Sequence, residues 1–526
     1  RDVLGSRGLG DVYKRQDKRG SWASRSTFIL AAIGSAVGLG NAWRFPGLAA
    51  KYGGGAFLFV YVIALLILGI PLLMMEISIG RHVKKGAPGA FRAMNKKTEW
   101  VGWAAVANAF IISTYYAVVF AWVLLMFGIS YKFAGMTGDA EAASGLFLST
   151  IEATGTTSGY GIPPILILFA IIAWLLIYYC IRNGASSVGK VVKYTVFAPV
   201  VCLVIMAVKG FVMPGAMEGF FKFILPDWSA LANASLWIDA VGQVFYSLSI
   251  MMAIMFAYGS FLNRDSNIAS DAMIIAFSDL AVSVLSGIVM FTTMYGCGMS
   301  VDDMSTSGIS TAFIIYPTAI VNLTQNGAVN AIFGAVFYLC LVTLAIDSAF
   351  SIIEGVSTAI ADKFNLSHKK TTIKICIVSA IISIVYITRS GLAWVDIVDN
   401  WTNQYSLIII GVLECIVIGW IFDPKKVVEE INKNTEKFKM PSFWFILSVK
   451  FLCPIVLFGF FCWNMYTLIV MKGGRYNTDY ALWAEVIGGW CTMAFCFISG
   501  YIMKLICKRK AKKGFKEDDR TWDEFE

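Results

Sequence analysis

Asp279 and Asp347 each sit inside a long apolar stretch. A charged side chain at the centre of a bilayer costs about 2.5 kcal/mol or more, so carboxylates held there are expected to bind something. Oxygen donors without imidazole or thiolate suit a hard cation, and sodium and potassium both satisfy this chemistry. The 11 cysteines, among them Cys202, Cys340 and Cys462, are scattered without metal-ligand spacing and read as small buried hydrophobes. A second chemical feature is AAIGSAVGLG, Ala31 to Gly40, with glycines at 34, 38 and 40. Each weakens a helix by about 1 kcal/mol relative to Ala, so the chain is expected to unwind there. A polar break at Ser247 and Ser249 interrupts the sixth apolar run in the same way. Half-helix N-termini offer N–H groups to an anion and unwound carbonyls offer oxygens to a cation, so paired breaks predict a midplane site for both.

The elements that must position this chemistry are membrane helices. Of 526 residues 58% are hydrophobic and 15% charged, against about 25% charged in soluble domains. Apolar runs fall at 26–49, 56–80, 101–129, 162–181, 188–209, 237–262, 272–298, 329–362, 371–388, 398–422, 443–471 and 481–507, each long enough to cross a bilayer. The expected fold class is an all-α membrane protein of about 12 transmembrane helices. Arg81, Lys84, Lys85, Arg92, Lys96 and Lys97 crowd the connection after the second run, whereas Asp139, Glu141 and Glu152 follow the third. The first loop is therefore cytoplasmic, and both termini with it. The net charge of +9 resides in such loops and in Lys508, Arg509, Lys510, Lys512 and Lys513, which suits topology and anionic lipid rather than nucleic acid. A soluble-enzyme reading fails for want of a nucleophile and base pair. Residues 1–16 read as a vector or sequencing remnant, 17–25 as a cytoplasmic segment, 210–236 as an external loop, and 508–526 as a charged cytoplasmic tail.

The stretch GSAVGLGNAWRFPGLAAKYGGGAF, Gly34 to Phe57, resembles the signature of the neurotransmitter:sodium symporter family, and GQVFYSLS, Gly242 to Ser249, resembles its sixth helix. Tyr115-Tyr116, the segment from Arg182 to Pro199, LAIDSAF at 344–350 and VDNW at 398–401 continue the match in the family's order. The resemblance implies the fold of the bacterial leucine transporter: 26–209 and 237–422 as inverted five-helix repeats with helices 1 and 6 unwound, and 423–507 as two peripheral helices. The loop from Ser130 to Gly161 lacks the cysteine pair usual in animal members, which implies a prokaryotic source and its inner or plasma membrane.

The resemblance also implies a site. The N–H groups of Leu39 and Gly40 and the Tyr116 hydroxyl would take a substrate carboxylate; Ala36, Tyr246, Ser247 and Ser249 would take its amine; Ile112, Met252, Ile352 and Phe245 would meet its side chain. Where monoamine-transporting members carry Asp, this chain has Gly38, so the substrate brings its own carboxylate and is an amino acid. Two sodium sites are implied, the first from Ala36, Asn41, Ser247 and Asp279, the second from Gly34, Val37, Leu344, Asp347 and Ser348. Arg44 and Asp399 would form an outer gate under the lid Tyr246, and Arg19 and Asp362 an inner gate, where Phe261 lacks the hydroxyl of the family's bracing tyrosine. Gly189 and Pro199 resemble the family's hinge in helix five. The pocket that holds chloride in dependent relatives maps to Tyr61, Gln243, Ser247, Asp279 and Ser283. Asp279 reaches it from one helical turn away, so chloride is not expected to be required. Glu76 is expected to support the unwound part of helix one, and Met251 to fill space beside Met252. The expected function is sodium-coupled import of a neutral amino acid, the alternative being a non-transporting amino-acid sensor or ion channel on the same scaffold; a homodimer is admitted.

Overall fold

The computed structural model describes residues 20–304, 307–435, 438–512 and 517–525; Arg19, Lys513 and the segment 1–16 lie outside them. Among the described residues, ten helices are long and apolar enough to span a membrane: α2 (Gly55–Val83), α3 (Glu99–Met136), α4 (Pro164–Ile181), α5 (Ala185–Phe211), α7 (Ile268–Gly296), α8 (Gly327–Phe364), α9 (His368–Ile387), α10 (Gly391–Ile421), α11 (Ser442–Met471) and α12 (Leu482–Lys510). An eleventh span, α1, is the pair Arg25–Ala36 and Gly40–Lys51, bent by 49°. The pair Ala234–Ser247 and Ile254–Ser260 forms α6 and completes twelve. No strand occurs among the described residues, only an isolated bridge between Gly54 and Pro226.

The two broken spans sit at the centre, with α3 and α8 packed along each other beside them. Residues there are buried on every side, as in Tyr61, Trp122 and Tyr258, while α4, α9, α11 and α12 show residues such as Leu175, Ile381, Ile455 and Tyr501 at the surface. That surface is the one a bilayer covers. Hydropathy placed the tenth run at 398, but α10 starts at Gly391 because Asp396, polar to a hydropathy window, is satisfied there by the hydroxyls of Tyr476 at 3.1 Å and Tyr480 at 2.9 Å. A short apolar helix pair between α7 and α8, Gly308–Val321, was not expected from the sequence; it seats Gly308 against the Trp43 indole, where any side chain would collide with the ring.

The tail is not simply a charged extension. Residues 517–525 fold back onto the basic face formed by the loop after α2 and the end of α8. Lys85 pairs with Asp518, Arg92 with Glu517, and Lys363 with Glu517 at 3.2 Å. Trp522 stacks on His82 at 4.0 Å between ring centres and is 6% exposed. Burial alone would raise the Asp518 carboxyl, but hydrogen bonds from Arg520 and Lys85 outweigh it and hold the group well below the usual carboxylate range. A depressed folded value means this contribution is fully present at neutral pH and fades only as pH falls below about 4. Trp522→Ala is therefore expected to release residues 517–525 and speed tryptic cleavage at the already exposed Arg520 while leaving the thermal unfolding of the helical core unchanged; limited proteolysis beside a melting curve in detergent checks it.

Candidate functional site

The centre of the molecule is built from two interruptions. In α1 the regular ladder stops at Ala36 and resumes at Gly40. In α6 it stops at Ser247 and resumes at Ile254, with Ser249, Met251 and Ala253 at φ 53°, 66° and 61°. Left-handed backbone costs a non-glycine residue about 1–2 kcal/mol, so three alternate residues held there need outside support. Glu76 of α2 supplies it: its Oε1 accepts the Met251 N–H at 2.6 Å. The sequence assigned this carboxylate to the break in helix one; it serves the break in α6. Met251 is corrected with it. Its side chain packs against Gly411 of α10, where an added methyl group would lie 2.3 Å from its sulfur, and it does not line the central pocket.

Around the break in α1, Asn41 closes a polar knot. Its Oδ1 accepts the Gly38 N–H at 2.9 Å, and its Nδ2 faces Ser247 Oγ at 2.9 Å, Asp279 Oδ1 at 2.7 Å and Ser283 Oγ at 2.8 Å. Ser247 donates to Asp279 Oδ1 at 2.7 Å, and the Tyr61 hydroxyl donates to Asp279 Oδ2 at 3.1 Å. Gln243 donates to the Gly40 carbonyl at 3.3 Å, leaving its buried Oε1 without a partner. Asn41, Ser247 and Asp279, named for the first cation, and Tyr61 and Ser283, named for the anion region, thus form one buried cluster around a single carboxylate, with Gln243 beside it on the Gly40 carbonyl.

Asp347 anchors the second cluster. Thr195 of α5 donates to its Oδ2 at 2.8 Å, and its buried Oδ1 has no hydrogen-bond partner. Gly34 lies so close that a Cβ would stand 2.5 Å from Asp347 Oδ2. Val37, where the first half of α1 ends, has extended backbone (φ −77°, ψ 96°), and Leu344 and Ser348 lie on α8 either side of Asp347. Ser35, absent from the sequence-derived set, is the carbonyl freed by unwinding; it accepts from Ser249 at 2.8 Å and Ser348 at 3.4 Å. Thr195 was also missed. Neither carries a signal in sequence, since both are ordinary small polar residues whose partners lie on distant helices. Among the described residues no group of three His, Cys, Asp or Glu side chains could hold a metal ion; each cluster offers one carboxylate among neutral oxygens, the donor set of a weakly held hard cation.

Between the clusters lies a pocket of about 30 Å³ lined by Ala36, Leu39, Gly40, Ile112, Tyr116, Tyr246, Ser247, Ser249, Met252 and Ile352, with Ser35, Gly38, Asn41 and Ser348. Phe245 is buried but outside this lining. The Tyr246 ring rests on Gly40, whose hypothetical Cβ would be 2.7 Å from it. Above Tyr246 opens a vestibule of about 600 Å³ that includes both Arg44 and Asp399. They do not form an ion pair within 4.0 Å here: Arg44 lies over the Tyr246 ring at 5.7 Å, and Asp399 accepts from Tyr115 at 2.8 Å and Asn403 at 2.9 Å. On the opposite side Trp22, 5% exposed, is wedged between Tyr258 and Phe261, and its indole donates to the Tyr258 carbonyl at 3.0 Å. The hydroxyl missing from Phe261 is present one turn earlier, where Tyr258 meets Ser351 at 2.6 Å. Asp362 accepts the Gly86 N–H at 2.9 Å, and Arg25 pairs with Asp271 at 2.7 Å.

Comparison with known proteins gives concordant matches. The model of the sodium:neurotransmitter symporter family matches residues 19–138 and 149–509. An uncharacterised sodium-dependent transporter of Methanocaldococcus jannaschii is 35% identical, over 95% of this chain and 99% of its own. The human sodium- and chloride-dependent neutral and basic amino acid transporter B(0+) is 28% identical, over 96% of this chain and 88% of its own. The crystal structure of MhsT in complex with L-phenylalanine superposes with a TM-score of 0.71 at 27% identity, covering 84% of this chain and 99% of that one.

Removing the Glu76 acceptor leaves a buried N–H unpaired, which costs about 1–3 kcal/mol. Glu76→Ala is expected to lower thermal stability by that amount, whereas Glu76→Gln, which keeps an oxygen for Met251, stays near the parent; melting curves of the two variants check the assignment.

Proposed function

We infer the function from membership, because the chain belongs to the sodium:neurotransmitter symporter family, and we propose that it imports a neutral amino acid with sodium by alternating access. The observation that carries this reading is the pocket itself. None of its lining residues is charged, yet it lies between two buried carboxylate clusters and beside the Leu39 and Gly40 amides at the start of a half-helix. Amides at a helix start favour a carboxylate, freed carbonyls favour an ammonium, and apolar walls exclude a charged side chain. Gly38 supports the same conclusion: a Cβ there would stand 2.7 Å from Ser348 Oγ, so no protein carboxylate enters from that position. MhsT, solved in complex with L-phenylalanine, supports the amino-acid class.

Sodium is the second substrate. We assign one ion to Ala36, Asn41, Ser247 and Asp279, with the substrate carboxylate as a further ligand, and one to Gly34, Val37, Leu344, Asp347 and Ser348. A shared oxygen makes each ligand strengthen the other's site. Two charges entering down 100 mV supply about 4.6 kcal/mol, or roughly a thousandfold accumulation. Tyr246 yields toward the vestibule to admit substrate, while Trp22 keeps the other side shut. The basic loops favour a cytoplasmic position for that side and both termini, and the absence of a cysteine pair from the loop after α3 favours a prokaryotic source. Asp279 serves as sodium ligand and as the fixed negative charge that replaces chloride in the region of Tyr61, Gln243 and Ser283.

Uptake of labelled amino acids into proteoliposomes tests the reading. Accumulation is expected with an inward sodium gradient and not with choline, and Asp347→Ala is expected to abolish it; sodium-independent accumulation refutes the proposal. Exchanging external chloride for gluconate is expected to leave uptake unchanged, and Asp279→Asn to make it chloride-dependent. Met251→Gly should leave the range of accepted side chains as it is, since Met251 faces Gly411; a competition panel measures this.

A further inference from the structure

We propose that the groove between α4 and α9 seats one acyl chain of an anionic phospholipid, with its phosphate held by Arg182, Lys369 and Lys370. The inference is independent of the sodium reading and needs only that α4 and α9 span a bilayer. The groove is a concavity of about 540 Å³ walled by α4 from Ile167 to Tyr178 and by α9 from Ile373 to Ile387. Ser383 stands in its wall, but that hydroxyl donates to the Thr114 carbonyl of α3 at 2.6 Å. The rims, Ile171 and Leu175 on one side and Ile377 and Ile384 on the other, are exposed. Apolar walls do not hold water, and at bilayer depth the solvent that meets this groove is hydrocarbon. The α4 wall rises about 16 Å, close to the roughly 15 Å of hydrocarbon in one leaflet.

One end of the groove is cationic. Residues three or four apart share a helix face, and the α9 wall repeats at Ile373, Ile377, Ala380 and Ile384. Three and four residues before Ile373 that stripe meets Lys370 and Lys369; four residues after Tyr178 the α4 stripe meets Arg182. The loop after α4 brings them to one corner: a Cβ on Gly184 would lie 3.5 Å from the His368 ring, beside Lys369. All three cations are exposed, and among the described residues none forms an ion pair. The carboxylate of this corner, Glu354, is buried and stands 2.9 Å from His368 Nε2. The Arg182 guanidinium lies over the Tyr179 ring at 4.4 Å and carries the fork of N–H donors that a phosphate accepts in pairs. Charge in a loop alone would serve topology. Charge closing an apolar groove of leaflet length fits both halves of a phospholipid at once. α4 and α9 both pack against α3, the helix of Tyr115 and Tyr116, so a seated lipid stiffens the wall behind the central pocket.

The test adds lipid to the purified full chain in detergent and follows its melting midpoint, while mass spectrometry of the intact complex counts bound lipid. The probes are phosphatidylglycerol, phosphatidylcholine with the same acyl chains, and glycerol phosphate, which has the phosphate without the chains. Phosphatidylglycerol is expected to raise the midpoint and stay bound, and the other two to do neither at the same concentration. The triple variant Arg182→Gln, Lys369→Gln, Lys370→Gln is expected to need roughly a hundredfold more phosphatidylglycerol, since each cation near an anionic headgroup contributes about fivefold. Removing three charges elsewhere, by Lys425→Gln, Lys433→Gln and Lys439→Gln, leaves the response as in the parent. Ala380→Phe, which fills the groove and keeps the cations, is expected to lose the response. Equal stabilisation by phosphatidylcholine, or a first triple variant that responds like the parent, overturns the phosphate site. Equal stabilisation by glycerol phosphate, or an Ala380→Phe protein that responds like the parent, overturns the acyl-chain groove. A parent that binds no lipid overturns the whole proposal, and assigns the groove to a second copy if the parent runs as a dimer that Ala380→Phe parts.

Discussion

At bilayer depth no water satisfies a backbone N–H or C=O, and every group left free by an unwound helix needs a partner from the protein or a ligand. That constraint governs the centre of this molecule. The Gly38 N–H is taken by Asn41, the Ser35 carbonyl by Ser249 and Ser348, and the Met251 N–H by Glu76. Asn41 lies three residues from Gly38, but the other partners come from distant helices, so the breaks are completed only in the assembled fold. Substrate and ions enter the same accounting, since they complete what the side chains leave open.

The buried carboxylates divide the labour by what surrounds them. Asp279 is enclosed by Asn41, Ser247 and Tyr61, all within hydrogen-bond reach, and therefore sits in a rigid cage of neutral donors. Asp347 has one donor, Thr195, and one oxygen without a hydrogen-bond partner, which makes its site the looser of the two. Glu76 binds no cation in this account and instead holds left-handed backbone in place. Buried carboxylates thus serve in a cage, in a more open site and as a backbone brace.

Much of this was legible in the sequence because membrane helices announce themselves one at a time. The ten unbroken spans follow from apolar run length, and the break in α1 follows from three glycines in ten residues. The break in α6 was only half legible: Ser247 and Ser249 mark its start, but 250–253 reads Ile-Met-Met-Ala, a good helix without Gly or Pro. What unwinds it is a carboxylate 175 positions away in α2. Met251, Ser35 and Thr195 were misplaced or missed for the same reason, since their roles are set by Gly411, Ser249 and Asp347 across the fold. The tail showed its charges but not its docking, which depends on basic residues gathered from loops far apart in the chain.

The central claim is that an amino acid and sodium occupy one site built from the two breaks. Equilibrium binding of a labelled neutral amino acid to the purified chain, measured across sodium concentrations at constant ionic strength, tests it most directly. The account predicts negligible binding in choline and, at low sodium, an association constant rising with a log–log slope approaching two, one for each proposed ion. An association constant independent of sodium would contradict it.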